Sequence, residues 1–213
     1  MLPLAPEGYP FIVIPALAGV VVFAFGYSGL AAVMWLVALF CVAFFRDPAR
    51  LSDAPAEVIV APADGTVLSV GSAPAALAAL GLPQQVSIFM SPANVHVNRA
   101  PISGTVREAR IVAGRKFPAY RDKASEFNEH SFVVLDGALG TVAYKQIAGS
   151  LARRVVCDLV PGQGVTRCQR VGLIKFGSRV DLFLPASAAV LAAPRQRTRA
   201  GVTEVARFQR IES

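Results

Sequence analysis

"GLIKFGSRVDLFLP", residues 172–185, reads as a buried strand rich in aromatic and branched residues, with a Gly-Ser pair set inside it. Gly weakens a strand interior because it offers no side chain to pack and adds entropy to the unfolded chain. The pair has two readings. It marks a β-bulge, or the Gly177–Ser178 peptide bond is itself a reactive site. Upstream, "VIVAPADGTVLSV" (58–70), "QVSIFMSPANVHVNRAPISGTV" (85–106), "SFVVLDGALGTVAYKQIAG" (131–149) and "RRVVCDLV" (153–160) share its strand length, β-branched content and Gly, Pro or Asn punctuation. Only "SAPAALAALG", 72–81, reads as a short helix in this region. The pattern predicts a β-rich globular domain, sandwich- or barrel-like, from about residue 55 onward.

The front of the chain differs in kind. Residues 1–45 carry Glu7 as their only charge, and two apolar runs, Phe11–Phe25 and Gly29–Phe45, flank the turn-prone "GYS" at 26–28. Each run is shorter than the roughly 20 residues that span a bilayer comfortably, so two short or tilted spans compete with a hairpin dipping into one leaflet. "MLPLAPEGYP" has no basic residue and so does not resemble a secretory signal. An N-terminal hydrophobic helical hairpin over residues 1–50 is therefore expected, followed by the β-rich domain over 51–213. Arg46 and Arg50 follow the second run directly, and by the positive-inside rule they hold that end, and everything after it, in the cytoplasm.

Across 213 residues, 54% are hydrophobic, 16% are charged and the formal net charge is +7, too apolar for an ordinary soluble domain and too basic to ignore anionic partners. One substantial core plus an appendage fits this length better than two full domains. Cys41, Cys157 and Cys168 form no CxxC pair, which argues against a zinc site or a disulfide framework and for a reducing compartment; no metal is expected. From residue 178 onward the arginines 179, 195, 197, 199, 207 and 210 face only the acids 181, 204 and 212, a balance that suits an anionic lipid surface. No stacking aromatics interleave with them, so nucleic acid is not an expected partner.

The chain holds only two histidines. His96, in "SPANVHVNRAP", sits in a polar break suited to a cleft, and His130, in "NEHS", reads as structural or peripheral. Asp64, in "PADG", is either a plain Asp-Gly turn or an orienting carboxylate. With Ser178 these residues supply the parts of a serine–histidine–aspartate arrangement, in which a base must take the hydroxyl proton before the serine can attack.

Taken in order, "FFRDPAR", "APADGTV", "IFMSPANVHVNRAPISG", "ASEFNEHS", "QIAGSLARRVVC" and "GLIKFGSRVDLFLP" resemble the short, bacterial form of phosphatidylserine decarboxylase, from about residue 10 to residue 185. The resemblance implies a self-made cofactor: Ser178 Oγ attacks the Gly177 carbonyl, and elimination then yields a large chain, 1–177, and a small chain, 178–213, that starts with a pyruvoyl group. It further implies a Schiff base between this group and the amine of phosphatidylserine in the membrane, loss of carbon dioxide, and release of phosphatidylethanolamine within phospholipid biosynthesis. His96 is carried over as the base and likeliest proton donor, and Asp64 as its partner. Longer members have a second histidine where Arg99 stands here, and "LGST" where this chain has "FGSR". Arg99 is accordingly read either as a substrate-binding fork or as a solvated surface charge. Two other readings remain beside the resemblance, a membrane-bound serine hydrolase and a non-enzymatic, membrane-anchored β-domain. The oligomeric state stays open.

Overall fold

The computed structural model describes residues 3–114, 127–149, 154–175 and 178–209. The chain divides into two compact units, Met1–Ala49 and Arg50–Ser213.

The first unit is a helical hairpin. After a 3-10 turn at Pro6–Gly8, α1 (Tyr9–Ala24) and α2 (Ser28–Phe44) pack on each other across a short turn in which Gly26 takes φ 84°. Trp35 seats on α1 at Gly19: its indole N–H donates to Ala16 O at 3.3 Å, and its ring lies 5.7 Å from that of Phe23. The hairpin's ends are tied by Ala5 N–H donating to Phe45 O at 2.8 Å and Asp47 N–H to Pro3 O at 2.7 Å. Pro6–Ala24 is long and apolar enough to cross a membrane, whereas α2, at 17 residues, is shorter. Leu17, Leu36 and Leu39, each more than 60% exposed, turn outward from the pair.

The second unit is built from β1 (Val58–Val60), β2 (Gly65–Ser72), β3 (Gln84–Met90), β4 (Val97–Arg99), β5 (Gly104–Val112), β6 (His130–Gly137), β7 (Gly140–Ala148), β8 (Val155–Cys157), β9 (Gly164–Val165), β10 (Arg170–Ile174), β11 (Ser178–Leu184), β12 (Ala188–Val190), β13 (Arg197–Thr198) and β14 (Glu204–Phe208). A curled antiparallel sheet runs β13-β2-β3-β11-β7-β6-β5-β9, and two three-stranded sheets run β1-β14-β12 and β4-β10-β8. The expected helix at 72–81 shrinks to one turn, α3 (Ala75–Ala78), because β2 continues through Ser72.

The quoted stretch is two strands. β10 belongs to the β4-β10-β8 sheet, and β11 begins at Ser178 in the eight-stranded sheet. From Ser178 onward the pairing with both β3 and β7 is one-to-one, with no bulge. Since β11 is flanked by strands on both edges and covered on both faces, all seven of its residues are buried. Alternation sends Ser178, Val180, Leu182 and Leu184 toward the main core, which the smaller sheets close from the other side with Ile59, Val171, Ile174 and Val205. Arg179, Asp181 and Phe183 face the other way, where the Arg179–Asp181 ion pair (2.5 Å) is buried and the guanidinium also donates to Ser87 Oγ at 2.9 Å. Arg179 therefore leaves the basic surface expected of the last segment, while Arg195, Arg197, Arg199 and Arg207 are exposed; Arg210 lies outside the described residues.

Gly172, with φ 155°, lets β10 lie close to β8: a Cβ there would meet Val156 O at 2.0 Å and Gln146 Nε2 at 3.0 Å. The obstacle is a paired backbone carbonyl that cannot swing aside. Gly172→Ala should cost about 1–3 kcal/mol, read as a lower melting temperature. Gly71→Ala, where a Cβ meets nothing within 4 Å, should leave it unchanged.

Candidate active site

Three segments carry the residues singled out by the sequence, the first of them at Ser178. The residue itself is fully buried, pairs with Met90 on one side and Ala148 on the other, and holds its Oγ 3.3 Å from Met90 Sδ. Gly177, the other half of the expected cleavage site, lies outside the described residues.

The second segment is "NVHVNR". Asn94 ends β3 in a tight turn, its Oδ1 accepting from Ser91 N–H at 2.9 Å and from Ser91 Oγ at 2.8 Å. The turn feeds His96, which is fully buried, with Nδ1 3.0 Å from Asn94 O. A carbonyl oxygen can only accept, so Nδ1 carries the proton and Nε2 is the basic nitrogen. The same local design recurs at His130, whose Nδ1 lies 2.8 Å from Asn128 O. His96 O accepts from Ile174 N–H at 3.3 Å, and only Lys175, Phe176 and Gly177 separate Ile174 from Ser178. The His96 backbone is thus linked to Ser178 through this hydrogen bond and a chain segment at most about 14 Å long.

"PADG" is the third segment. Arg99 N–H donates to Pro62 O at 2.9 Å and Val60 N–H to Pro101 O at 3.1 Å, so the two segments run antiparallel and carry Asp64 toward His96. Gly65 is required by close approach, since a Cβ there would sit 2.2 Å from Phe89 O. The nearly buried Asp64 carboxylate is gripped at both oxygens, Oδ1 accepting from Ala200 N–H at 2.7 Å and Oδ2 lying 3.3 Å from Arg50 Nη2. The tautomer of His96, which the sequence pattern assigns to Asp64, is set here by the Asn94 carbonyl.

Arg99 is no solvated surface charge. It is buried, on the opposite side of β4 from Asn98, and donates from Nη1 to Cys168 O at 2.9 Å. That bond braces a turn in which Cys168 takes φ 70°.

Sequence reasoning missed a chain of buried amides. Ser131 Oγ donates to Gln146 Oε1 at 2.7 Å, Gln146 Nε2 donates to Asn98 Oδ1 at 2.8 Å, and Asn98 Nδ2 points to Met90 Sδ at 3.7 Å. All three polar residues are fully buried. The one signal available was spacing, because Asn98 follows His96 by two positions and so shares its side of an extended chain. Burial pushes the Cys157 and Cys168 thiols up, so neither is a ready thiolate.

A sequence model of a protein family described as phosphatidylserine decarboxylase matches residues 37–206. A "phosphatidylserine decarboxylase proenzyme" of Magnetococcus marinus is 42% identical over 98% of this chain and 97% of its own length. Proteins of the same name from Trichlorobacter lovleyi and Pelodictyon phaeoclathratiforme are 45% identical over 96% of each chain and 46% identical over 81% of each chain.

His130 gives the site's surroundings a pH dependence. Burial holds its pKa below the ordinary 6.5, the Lys145 and Arg110 charges add to the shift, and the bond to Asn128 opposes it. The unfolded chain therefore binds this proton more tightly. Stability tied to the neutral ring is complete above 6.5 and is lost as pH falls through the lowered folded value. His130→Gln should flatten the acid side, with the variant's melting temperature falling less than that of the wild type between about pH 7 and about pH 5.

Proposed function

The chain belongs to the phosphatidylserine decarboxylase family, and on that premise we propose that it converts phosphatidylserine to phosphatidylethanolamine and carbon dioxide with a pyruvoyl group made from Ser178. The observation that carries this reading is the placement of Ser178, fully buried as the first residue of β11, with its hydroxyl against a thioether. Self-cleavage needs no external partner at the hydroxyl, so an enclosed placement suits that step. A serine that attacks its own preceding carbonyl has every use for it, because the reactants are already joined and orientation replaces diffusion. The relatives' designation as proenzymes supports the same reading.

The surroundings fit a small covalent group formed from the residue's own atoms: Met90 and Ala148 flank it, and Asn98 is held beside the same sulfur. When present, the group supplies a ketone that takes up the substrate amine and accepts the electrons left by departing carbon dioxide. His96 accepts the Ser178 hydroxyl proton at Nε2, the nitrogen that the Asn94 carbonyl leaves basic. Asp64, fixed by Arg50 and Ala200, favours the imidazolium that results. Arg99 acts by bracing the Cys168 turn rather than as a substrate fork.

Self-cleavage would divide 1–177 from 178–213 without releasing either piece. The small chain contributes β11 between β3 and β7, β14 beside β1, and β13 beside β2. The hairpin lies in the inner membrane with the β-rich unit on the cytoplasmic face. Its outward leucines support this, as do Arg46 and Arg50 at its end and the exposed Arg195, Arg197 and Arg199, which suit anionic headgroups.

Intact-mass measurement of purified protein should give a fragment ending at Gly177 and a second fragment of residues 178–213 with a blocked N-terminus. Ser178→Ala should give one full-length chain with no decarboxylation in phosphatidylserine vesicles. An unmodified wild-type chain that is active would sink the pyruvoyl mechanism. His96→Ala should remain folded and cleave about 10² to 10⁴ times more slowly, checked by gel time courses beside a thermal melt.

A further inference from the structure

We propose that Asn98 is a catalytic residue of self-cleavage, its Nδ2 donating to the oxyanion formed when Ser178 Oγ adds to the Gly177 carbonyl, and that Gln146 and Ser131 are its positioning residues. The proposal rests on the self-cleaving reading of Ser178.

The orientation of Asn98 is dictated by the partners at its two ends. A thioether sulfur has no hydrogen to give, so the side chain turns its NH2, not its oxygen, toward Met90 Sδ. The oxygen then faces Gln146 Nε2 at 2.8 Å, which turns Gln146 Oε1 to Ser131 Oγ at 2.7 Å. Reversing any one amide would set two donors or two acceptors against each other in a fully buried chain. Gly172 leaves room for this, since a Cβ on it would approach Gln146 Nε2 to 3.0 Å.

What the chain delivers is a strong donor to a weak acceptor. Asn98 Nδ2 stands 3.7 Å from Met90 Sδ, and the same sulfur stands 3.3 Å from Ser178 Oγ. A buried amide N–H facing only sulfur keeps most of its desolvation penalty. The attack creates a far better partner beside it. The Oγ–C bond forms, the carbonyl π pair moves onto the Gly177 oxygen, and the hydroxyl proton passes to His96 Nε2. Collapse breaks the C–N bond as His96 returns the proton to the departing Ser178 nitrogen, leaving an ester and a free amine. A preorganised donor held one sulfur away from the attacking hydroxyl would stabilise the charged state more than the ground state, and removing one such donor costs about 10² to 10³ in rate.

The test tracks freshly synthesised full-length precursor by gel and intact mass, with and without hydroxylamine, which cleaves esters. Folded Asn98→Ala should cleave about 10² to 10³ times more slowly and should accumulate no hydroxylamine-labile ester, because formation of the ester is the slowed step. Gln146→Met keeps Asn98 but frees its orientation, and should slow cleavage by a smaller factor in protein that still folds, with a lowered melting temperature because Ser131 and Asn98 each lose a buried partner. Cleavage of folded Asn98→Ala at the wild-type rate would overturn the proposal, as would build-up of the labile ester. If Asn98→Ala does not fold, Gln146→Met decides: slowed cleavage supports the proposal and wild-type cleavage overturns it. A wild-type precursor that never cleaves while Ser178→Ala behaves identically would instead remove the underlying reading of Ser178.

Discussion

The β-rich unit depends on β11 being hydrogen-bonded along both edges from its first residue. Ser178 pairs with Met90 and with Ala148, and the register then holds without slip, through Phe183 against β7 and through Leu184 against β3. A strand so placed cannot shift by one residue without exchanging its apolar side for Arg179 and Asp181. The Ser178 hydroxyl is therefore positioned by the two strands that its residue pairs with. The chain changes sheets between Ile174 and Ser178.

This arrangement would keep the fold intact after the proposed scission. Residues 178–209 supply strands to two of the three sheets, and β13 leads into the residues that hold Asp64: Thr198 Oγ1 donates to Ala63 O at 3.0 Å, Ala200 N–H to Asp64 Oδ1 at 2.7 Å and Gly201 N–H to Ala61 O at 2.9 Å. Segments on both sides of the proposed scission thus build one site. The cost of leaving so many paired backbone groups unmatched would keep the two pieces of the proposed scission together.

The linker after the hairpin is fastened to the same region by arginines. Arg167 donates to the carbonyls of Pro55 at 2.7 Å, Val58 at 3.2 Å and Ser52 at 3.3 Å, and also to that of Ala54. Arg50 meets Asp64. A guanidinium can satisfy several carbonyls in one plane, which a lysine cannot, so one side chain shapes a stretch with little regular structure. Within the β-rich unit, the stretch from Arg50 to Val58 is more than a spacer, since it brings Arg50 to the Asp64 carboxylate.

Whatever depends on local pattern was legible in the chain. Period-two alternation with turn punctuation marked the strands, two uncharged runs marked the hairpin, and ordered motifs pointed to Ser178, His96 and Asp64. Whatever depends on partners distant in sequence waited for the packed fold. Packing split "GLIKFGSRVDLFLP" between two sheets, buried Arg179 against Asp181, turned Arg99 onto a carbonyl, and gave Asp64 to Arg50 and Ala200 while Asn94 set the His96 tautomer. It also joined Asn98 to Gln146, 48 positions away. Alternation fixes only which side of a strand a residue takes. What waits on that side is fixed by strand order, and strand order is set by the packing of the whole unit.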